Sequence, residues 1–343
     1  MAAHFSAPVL KPRLYERGMS IGLKPEGYVD PDREFVAILN APSGLVELGS
    51  WVSQHRSALE TLMAKAGGVL LRGFSVNTPD AFGEGVRAFG RDRLPYLERA
   101  AVRSEVSPGV FTSTEFSSDH FIDLHHEMSF ARDLPERIFF FAETLAETGG
   151  ATPLADERAA TAKFDPAILK VFEERGVLYE RNFRPEIDMD WRSAFQTEDR
   201  ADVAAYCEAN GTQFEWLGPE HLRTRQRQKA FVKVPATGDK LFCNHAHLFH
   251  TATLPPGVLA SLIEEFGTEN LPRRVFFGDG SPIPDAMIHD IRAVYAEETR
   301  TFDWQRHDVL ALDNLICLHG RAPFTGKRTT LVSMTTLVSR SVQ

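Results

Sequence analysis

A mainly β core with helices packed against its outside is the fold class the sequence predicts, and three observations carry that prediction. After Phe302 the chain turns into short β-type runs, DVLALD, LICLHG and TTLVSMTTLVS, separated by turn residues. Before them, several segments place apolar residues at helical spacing. No internal repeat, low-complexity tract or long Gly/Ser linker divides the 343 residues. The expectation is therefore a single domain over residues 1–343, with a lid-like insertion at about 180–230.

The elements follow in order. Over residues 45–66, Leu48, Trp51, Val52, Leu59, Leu62 and Met63 fall on one helical stripe, and Gly67-Gly68 ends it. The apolar run VLLRGF at 69–74 reads as a buried strand. Thr78 followed by Pro79 marks a helix start, an Ncap threonine with proline at the first helical position, and Phe82, Val86 and Phe89 form the stripe behind it. A third helix around Asp285 to Thr299 aligns Ile288, Ile291 and Tyr295. Residues 180–230 are charged, Arg-rich and weakly periodic, which reads as a partly helical excursion over the core. Excursions of that length are often lids.

Composition narrows the function. A hydrophobic fraction of 43% supports a sizeable core, and a net charge of −9 argues against a nucleic-acid or anionic-membrane surface. The first twenty residues contain no continuous apolar run of leader length, and no run approaches the ~20 residues of a membrane span. The expectation is a cytoplasmic protein working on small molecules. Cys207, Cys243 and Cys317 are scattered and odd in number, so they read as small buried hydrophobes rather than disulfide or zinc ligands.

The segment DLHHEM, residues 123–128, carries the chemistry. In an extended strand Asp123, His125 and Glu127 point one way, while Ile122, Leu124, His126 and Met128 point the other. His125 and Glu127 thus share the polar face, and His126 packs with the apolar residues. An imidazole and a carboxylate at this spacing make two legs of a facial triad, which needs one more histidine and leaves positions open for reactants. By itself H-x-E is a weak signal. His319 ends a late apolar run and is followed by a Gly/Pro-rich turn and a β-type segment carrying Arg328. A metal taking the 2-oxo end of an acid, with a guanidinium forked onto its distal carboxylate, would account for both residues.

The order of these segments, from GGVLLRGF at 67 through TEFSSDHFIDLHHEMSF, GGATPLAD at 149, RNF at 181 and HLFH at 247 to HGRAPFTGKR, resembles the Fe(II)/2-oxoglutarate dioxygenases of the taurine dioxygenase (TauD/TfdA) and clavaminate synthase-like superfamily. The likeness is greatest to the branch that hydroxylates amino acids, free or carrier-tethered, in natural-product and antibiotic biosynthesis. It implies a double-stranded β-helix, the cupin-like jelly roll. It also implies His125, Glu127 and His319 as iron ligands, Thr152 hydrogen-bonded to 2-oxoglutarate and Arg328 on its distal carboxylate. Arg321, two residues past His319, could help hold either acid. The implied reaction consumes O2 and 2-oxoglutarate and yields succinate, CO2 and a hydroxylated product; retention of the carboxylate ligand disfavours halogenation, while desaturation or epoxidation stays open. Many relatives carry Asp as the carboxylate ligand and Asn or Thr between the two ligands, so His126 is a departure that could compete for metal.

Other residues are weighed beside these. His245, His247 and His250 in CNHAHLFH lack an accompanying carboxylate, so packing or hydrogen bonding is their expected role. Asp313-Asn314 reads as a structural turn. Arg181, Arg184 and Asn244 are candidates for substrate, with Arg192 a further arginine in the insertion. The substrate expected is a small amino acid or an aminoacyl unit on a carrier protein, with a sulfonate, betaine or aryloxy acid as the alternative. A zinc hydrolase is permitted by the ligand types but gives Thr152 and Arg328 no role, and a non-catalytic cupin-like binder leaves the cosubstrate clamp unexplained.

Overall fold

The computed structural model describes residues 23–95, 98, 103–113 and 116–340. The opening stretch searched for a leader lies outside them, as do Thr114 and Glu115. No described helix is long and apolar enough to cross a membrane.

An eight-stranded sheet forms the back of the jelly roll, in the spatial order Gly27–Asp30, Phe35–Asn40, Gly68–Arg72, Val309–Asp313, Asp133–Thr144, Thr329–Ser339, Val110–Thr112, Glu105–Ser107. Its centre is buried on both faces, so the alternation of strand side chains sorts residues between two cores. Val309, Ala311, Phe139 and Phe141 face one way, against Leu48, Val52, Leu59 and Met63 of the helix Leu48–Ala66 and Phe82 and Val86 of the helix Pro79–Ala88. Leu310, Leu312, Ile138 and Phe140 face the other, toward Leu124, Leu154 and Leu318 of a facing three-stranded sheet. At about 1.5–3 kcal/mol for each fully buried large apolar side chain, these two layers dominate the stability of the domain.

The Thr78-Pro79 helix start holds in detail, while the helix expected over 45–66 begins at Leu48, capped by the Glu47 side chain. Thr78 accepts from the backbone N–H of Ala81 ahead of Pro79, and Gly67, at φ +77°, closes the preceding helix. Gly68 differs from the expectation: instead of ending the helix it opens the strand Gly68–Arg72, and an added Cβ there would lie 2.6 Å from Leu312 Cδ2 and 2.8 Å from the Ala311 carbonyl. All three cysteines are free and buried.

Residues 180–230 contain more strand than the sequence suggested. Val177–Phe183, Gln213–Trp216, Leu222–Gln228 and Arg273–Phe277 form a four-stranded sheet, with the helices Trp191–Phe195 and Arg200–Asn210 between its strands. Phe183, Met189, Trp191, Phe195, Val203, Cys207 and Leu222 give this region a core of its own. The strand LRTRQRQ was unreadable by hydrophobic period because its inward positions are Leu222, Thr224, Gln226 and Gln228, three of them polar.

Candidate metal centre and acid pocket

The three-stranded sheet sets the site. Its middle strand, Cys317–Arg321, pairs antiparallel with Ile122–His125 and with Leu154–Asp156, and the register puts His319 opposite His125 on one side and Leu154 on the other. The two imidazole centroids are 4.4 Å apart. The strand stops at His125, so Glu127 reaches the same place from a turn rather than along a continuous strand. Met128, at φ +57°, makes that turn. Glu127 Oε2 lies 3.9 Å from His125 Nε2 and 3.6 Å from His319 Nε2, and one donor atom from each of the three residues lies within 4.8 Å of the others.

The donor set fits a divalent metal. His125 Nδ1 is tied to the Asp123 carbonyl at 2.8 Å, which fixes the ring and turns Nε2 inward. Burial, with His319 adjacent, lowers the His125 pKa to about 4, and burial lowers that of His319 as well. Burial thus favours the neutral form of both rings, the state a metal binds. Burial opposes the charge of Glu127, but Arg103, 3.1 Å away, and the two imidazoles outweigh it and hold the carboxyl well below its usual range. Two neutral imidazoles and one ionised carboxylate on one side of a cavity are the ligand set of a facial triad.

His126 points away, as expected from the alternation, although it lies one residue past the end of the strand. It is fully buried, with Nδ1 on the Asn314 carbonyl at 2.6 Å and Nε2 on Glu157 at 3.1 Å, so neither ring nitrogen faces His319. The other histidines are similarly engaged: His245 Nδ1 with Ser129, His247 with the Leu124 carbonyl and His250 with the Ile283 carbonyl. None of them joins the three-residue cluster among the described residues.

Beside the cluster is a pocket lined by Arg103, Ser113, Ile122, His125, Phe140, Thr152, His319, Arg321 and Arg328, among others. Phe140 packs on His319 at 5.0 Å between centroids and forms its apolar wall. Thr152 Oγ1 accepts from Trp304 Nε1 at 3.0 Å, which leaves its own hydroxyl proton to donate to a ligand. Arg328 donates Nε to the Gly150 carbonyl and has no carboxylate partner among the described residues. Burial and the nearby positive Arg321 push its pKa down to about 10. Arg321 lines the same pocket, with its guanidinium on the carbonyls of Phe116, Ser117 and His120, which ties that segment to the strand bearing His319. The candidates for substrate sit elsewhere. Arg181 is buried beside Glu98 at 3.8 Å and over the Phe130 ring, Arg184 is near Glu186, and Asn244 is bonded to the Ala230 carbonyl and the Ala246 amide. None of these three lines the pocket.

Sequence reasoning missed Arg103 and Trp304. Neither sits in a recognisable spacing with the triad, and both arrive through tertiary packing alone. Asn314 was read as a turn residue, but its side chain also accepts from the Glu127 amide at 2.7 Å and donates to the Glu127 carbonyl at 3.1 Å.

Comparison with known proteins agrees with this geometry. Residues 38–335 match the family described as taurine catabolism dioxygenase TauD, TfdA family. The chain is 35% identical over 299 residues to the dapdiamide synthesis protein DdaC of Enterobacter agglomerans, covering 87% of this chain and 90% of that protein. It is 31% identical over 320 residues to a clavaminate synthase-like protein of Arabidopsis thaliana, covering 88% and 94%. The solved structure of PvcB, described as an Fe, alpha-ketoglutarate dependent oxygenase from an isonitrile synthetic pathway, shares the fold: the TM-score is 0.53 over 95% of this chain and 96% of that one, at 14% identity. The matched region spans all three residues of the His-Glu-His cluster, and the chain belongs to the TauD/TfdA family as an Fe(II)- and 2-oxoglutarate-dependent dioxygenase.

Proposed function

We propose that His125, Glu127 and His319 hold Fe(II), that Thr152 and Arg328 hold 2-oxoglutarate, and that the enzyme hydroxylates a small amino acid or an aminoacyl unit. The observation that supports this most is the placement of one half-buried arginine, without a carboxylate partner among the described residues, in the same pocket as two of the three metal donors. A dicarboxylate with a 2-oxo group matches that pair of features, since one end chelates a metal and the other takes a guanidinium. The chemistry supplied by Fe(II), 2-oxoglutarate and O2 is oxidative decarboxylation to succinate and CO2, with one oxygen atom passed to the substrate.

The residues of this chain do the rest. Arg328 orients the cosubstrate by its distal acid, and the Thr152 hydroxyl, fixed by Trp304, donates to the same group. Phe140 excludes water from the His319 side, and Arg321 anchors the segment from Phe116 to His120 beside the pocket. The amino-acid reading rests on the similarity to a dapdiamide synthesis protein. Arg181 is the better placed of the candidate substrate residues, because Phe130 links it to His245 and so to His125. The four-stranded sheet region then acts as a lid. If the substrate is carrier-tethered, its α-carboxyl is consumed in the thioester and the acid recognised belongs to the side chain, which makes aspartyl the leading choice.

The test incubates enzyme, Fe(II), ascorbate and 2-oxoglutarate with an amino-acid panel and, separately, with aspartyl-loaded carrier protein. The expected result is a mass gain of one oxygen in one of the two sets. Oxidation of a sulfonate, betaine or aryloxy acid instead would overturn the substrate assignment and leave the reaction class standing.

A further inference from the structure

Glu127 lies beyond the end of its strand, in a turn that Met128 completes with a left-handed backbone, so no β-ladder fixes its position. What replaces the ladder is the Asn314 side chain. Its amide oxygen accepts from Glu127 N–H at 2.7 Å, and its amide nitrogen donates to the Glu127 carbonyl at 3.1 Å and to the Pro135 carbonyl at 2.8 Å. A primary amide both donates and accepts, so it can imitate the edge of a neighbouring strand. Asp, with the same shape, accepts only.

Asn314 is itself held from behind. Its carbonyl accepts from His126 Nδ1–H at 2.6 Å, and His126 Nε2 shares a proton with Glu157 Oε2 at 3.1 Å. Glu157 is fully buried, and its carboxyl is fixed further by the Thr161 hydroxyl at 2.7 Å and the Tyr295 hydroxyl at 3.1 Å. Every link is buried and joins a different segment: the helix Asp285–Glu298 through Tyr295, the helix Glu157–Lys163, the turn after His125, and the turn before Cys317. None of these groups lines the acid pocket or belongs to the metal cluster.

We propose that Asn314 is a positioning residue for the carboxylate ligand Glu127, and that the chain Tyr295–Glu157–His126 holds Asn314 in register. The departure noted in the sequence, a histidine between the two ligands, is then a brace rather than a competing ligand. The inference rests on the reading of Glu127 as a metal ligand. Partners that orient a ligand usually change metal affinity by about 10–100-fold when removed.

The experiment measures Mn(II) affinity of the metal-free enzyme by electron paramagnetic resonance, with the thermal melt of the metal-free protein recorded beside it. Asn314→Asp is expected to weaken Mn(II) binding at least tenfold at a temperature where the variant is fully folded. Glu157→Gln, which can still donate and accept, is expected to bind as the parent does. Glu157→Leu is expected to weaken binding. Asn314→Asp binding within twofold of the parent overturns the proposal. Should Asn314→Asp fail to fold, the Glu157 pair decides, and equal affinity of the Gln and Leu variants overturns it. Glu127→Ala separates the two levels: if it binds Mn(II) like the parent, the metal-site reading falls, whatever the Asn314 variants do.

Discussion

Arg328→Ala separates binding from folding with unusual clarity. Without ligand, burial and Arg321 hold the guanidinium pKa near 10 against an ordinary 12.5. That shift runs against the charged form, and the bond from Nε to the Gly150 carbonyl offsets part of it. The ligand-free protein therefore gains little from this charge, and its removal should leave the melting temperature of the metal-free enzyme unchanged or slightly raised. The bound cosubstrate loses a charge-assisted, partly desolvated contact, whose truncation costs about 2–5 kcal/mol. Because the pocket is open at one side, the lower part of that range applies, and about 2–3 kcal/mol corresponds to a 30- to 150-fold rise in the dissociation constant. The assay is anaerobic calorimetric titration of the Mn(II)-loaded enzyme with 2-oxoglutarate, beside a melt of each protein. Unchanged affinity would refute the reasoning and move the distal-acid role to Arg321. A large fall in melting temperature would show that Arg328 is structural.

Three further outcomes are expected. His125→Ala, Glu127→Ala and His319→Ala should each abolish iron-dependent turnover, whereas His126→Ala should keep measurable turnover while losing about 2–4 kcal/mol in denaturant unfolding, because it leaves Glu157 and the Asn314 carbonyl short of partners. Loss of all activity in folded His126→Ala at saturating Fe(II), where a weakened brace is compensated, would contradict the ligand assignment. Trp304→Phe should raise the 2-oxoglutarate dissociation constant a few-fold, about 0.5–1.5 kcal/mol, by releasing the Thr152 hydroxyl, with little change in Mn(II) affinity. Gly320→Ala should lower both stability and metal affinity, since the new Cβ would lie 2.5 Å from the Ile122 carbonyl and push the His125 strand off the His319 strand; a variant with parental Mn(II) affinity would show that this pairing does not set the site.

What the sequence revealed follows from how locally each feature is encoded. The Thr78-Pro79 helix start, the stripe from Leu48 to Met63 and the late strands are local patterns, and each appears where it was expected. The alternation in DLHHEM separated His125 from His126 correctly, although the strand ends at His125 and the parity of Glu127 is completed by a turn. The strand Leu222–Gln228 was hidden because its inward face is polar, and Arg103 and Trp304 were hidden because no spacing links them to the residues they touch. The role of Asn314 needed coordinates: its two bonds to Glu127 cross 187 positions of sequence.

The central claim, that the triad and the arginine pocket serve one reaction, is tested most directly by succinate formation from 2-oxoglutarate under defined metal and gas conditions. The account predicts succinate that requires both Fe(II) and O2, is absent with Zn(II), disappears in Glu127→Ala and falls at subsaturating 2-oxoglutarate in Arg328→Ala. Succinate formation that persists in Glu127→Ala, or none with Fe(II) and O2 alongside a hydrolytic activity with Zn(II), would contradict it.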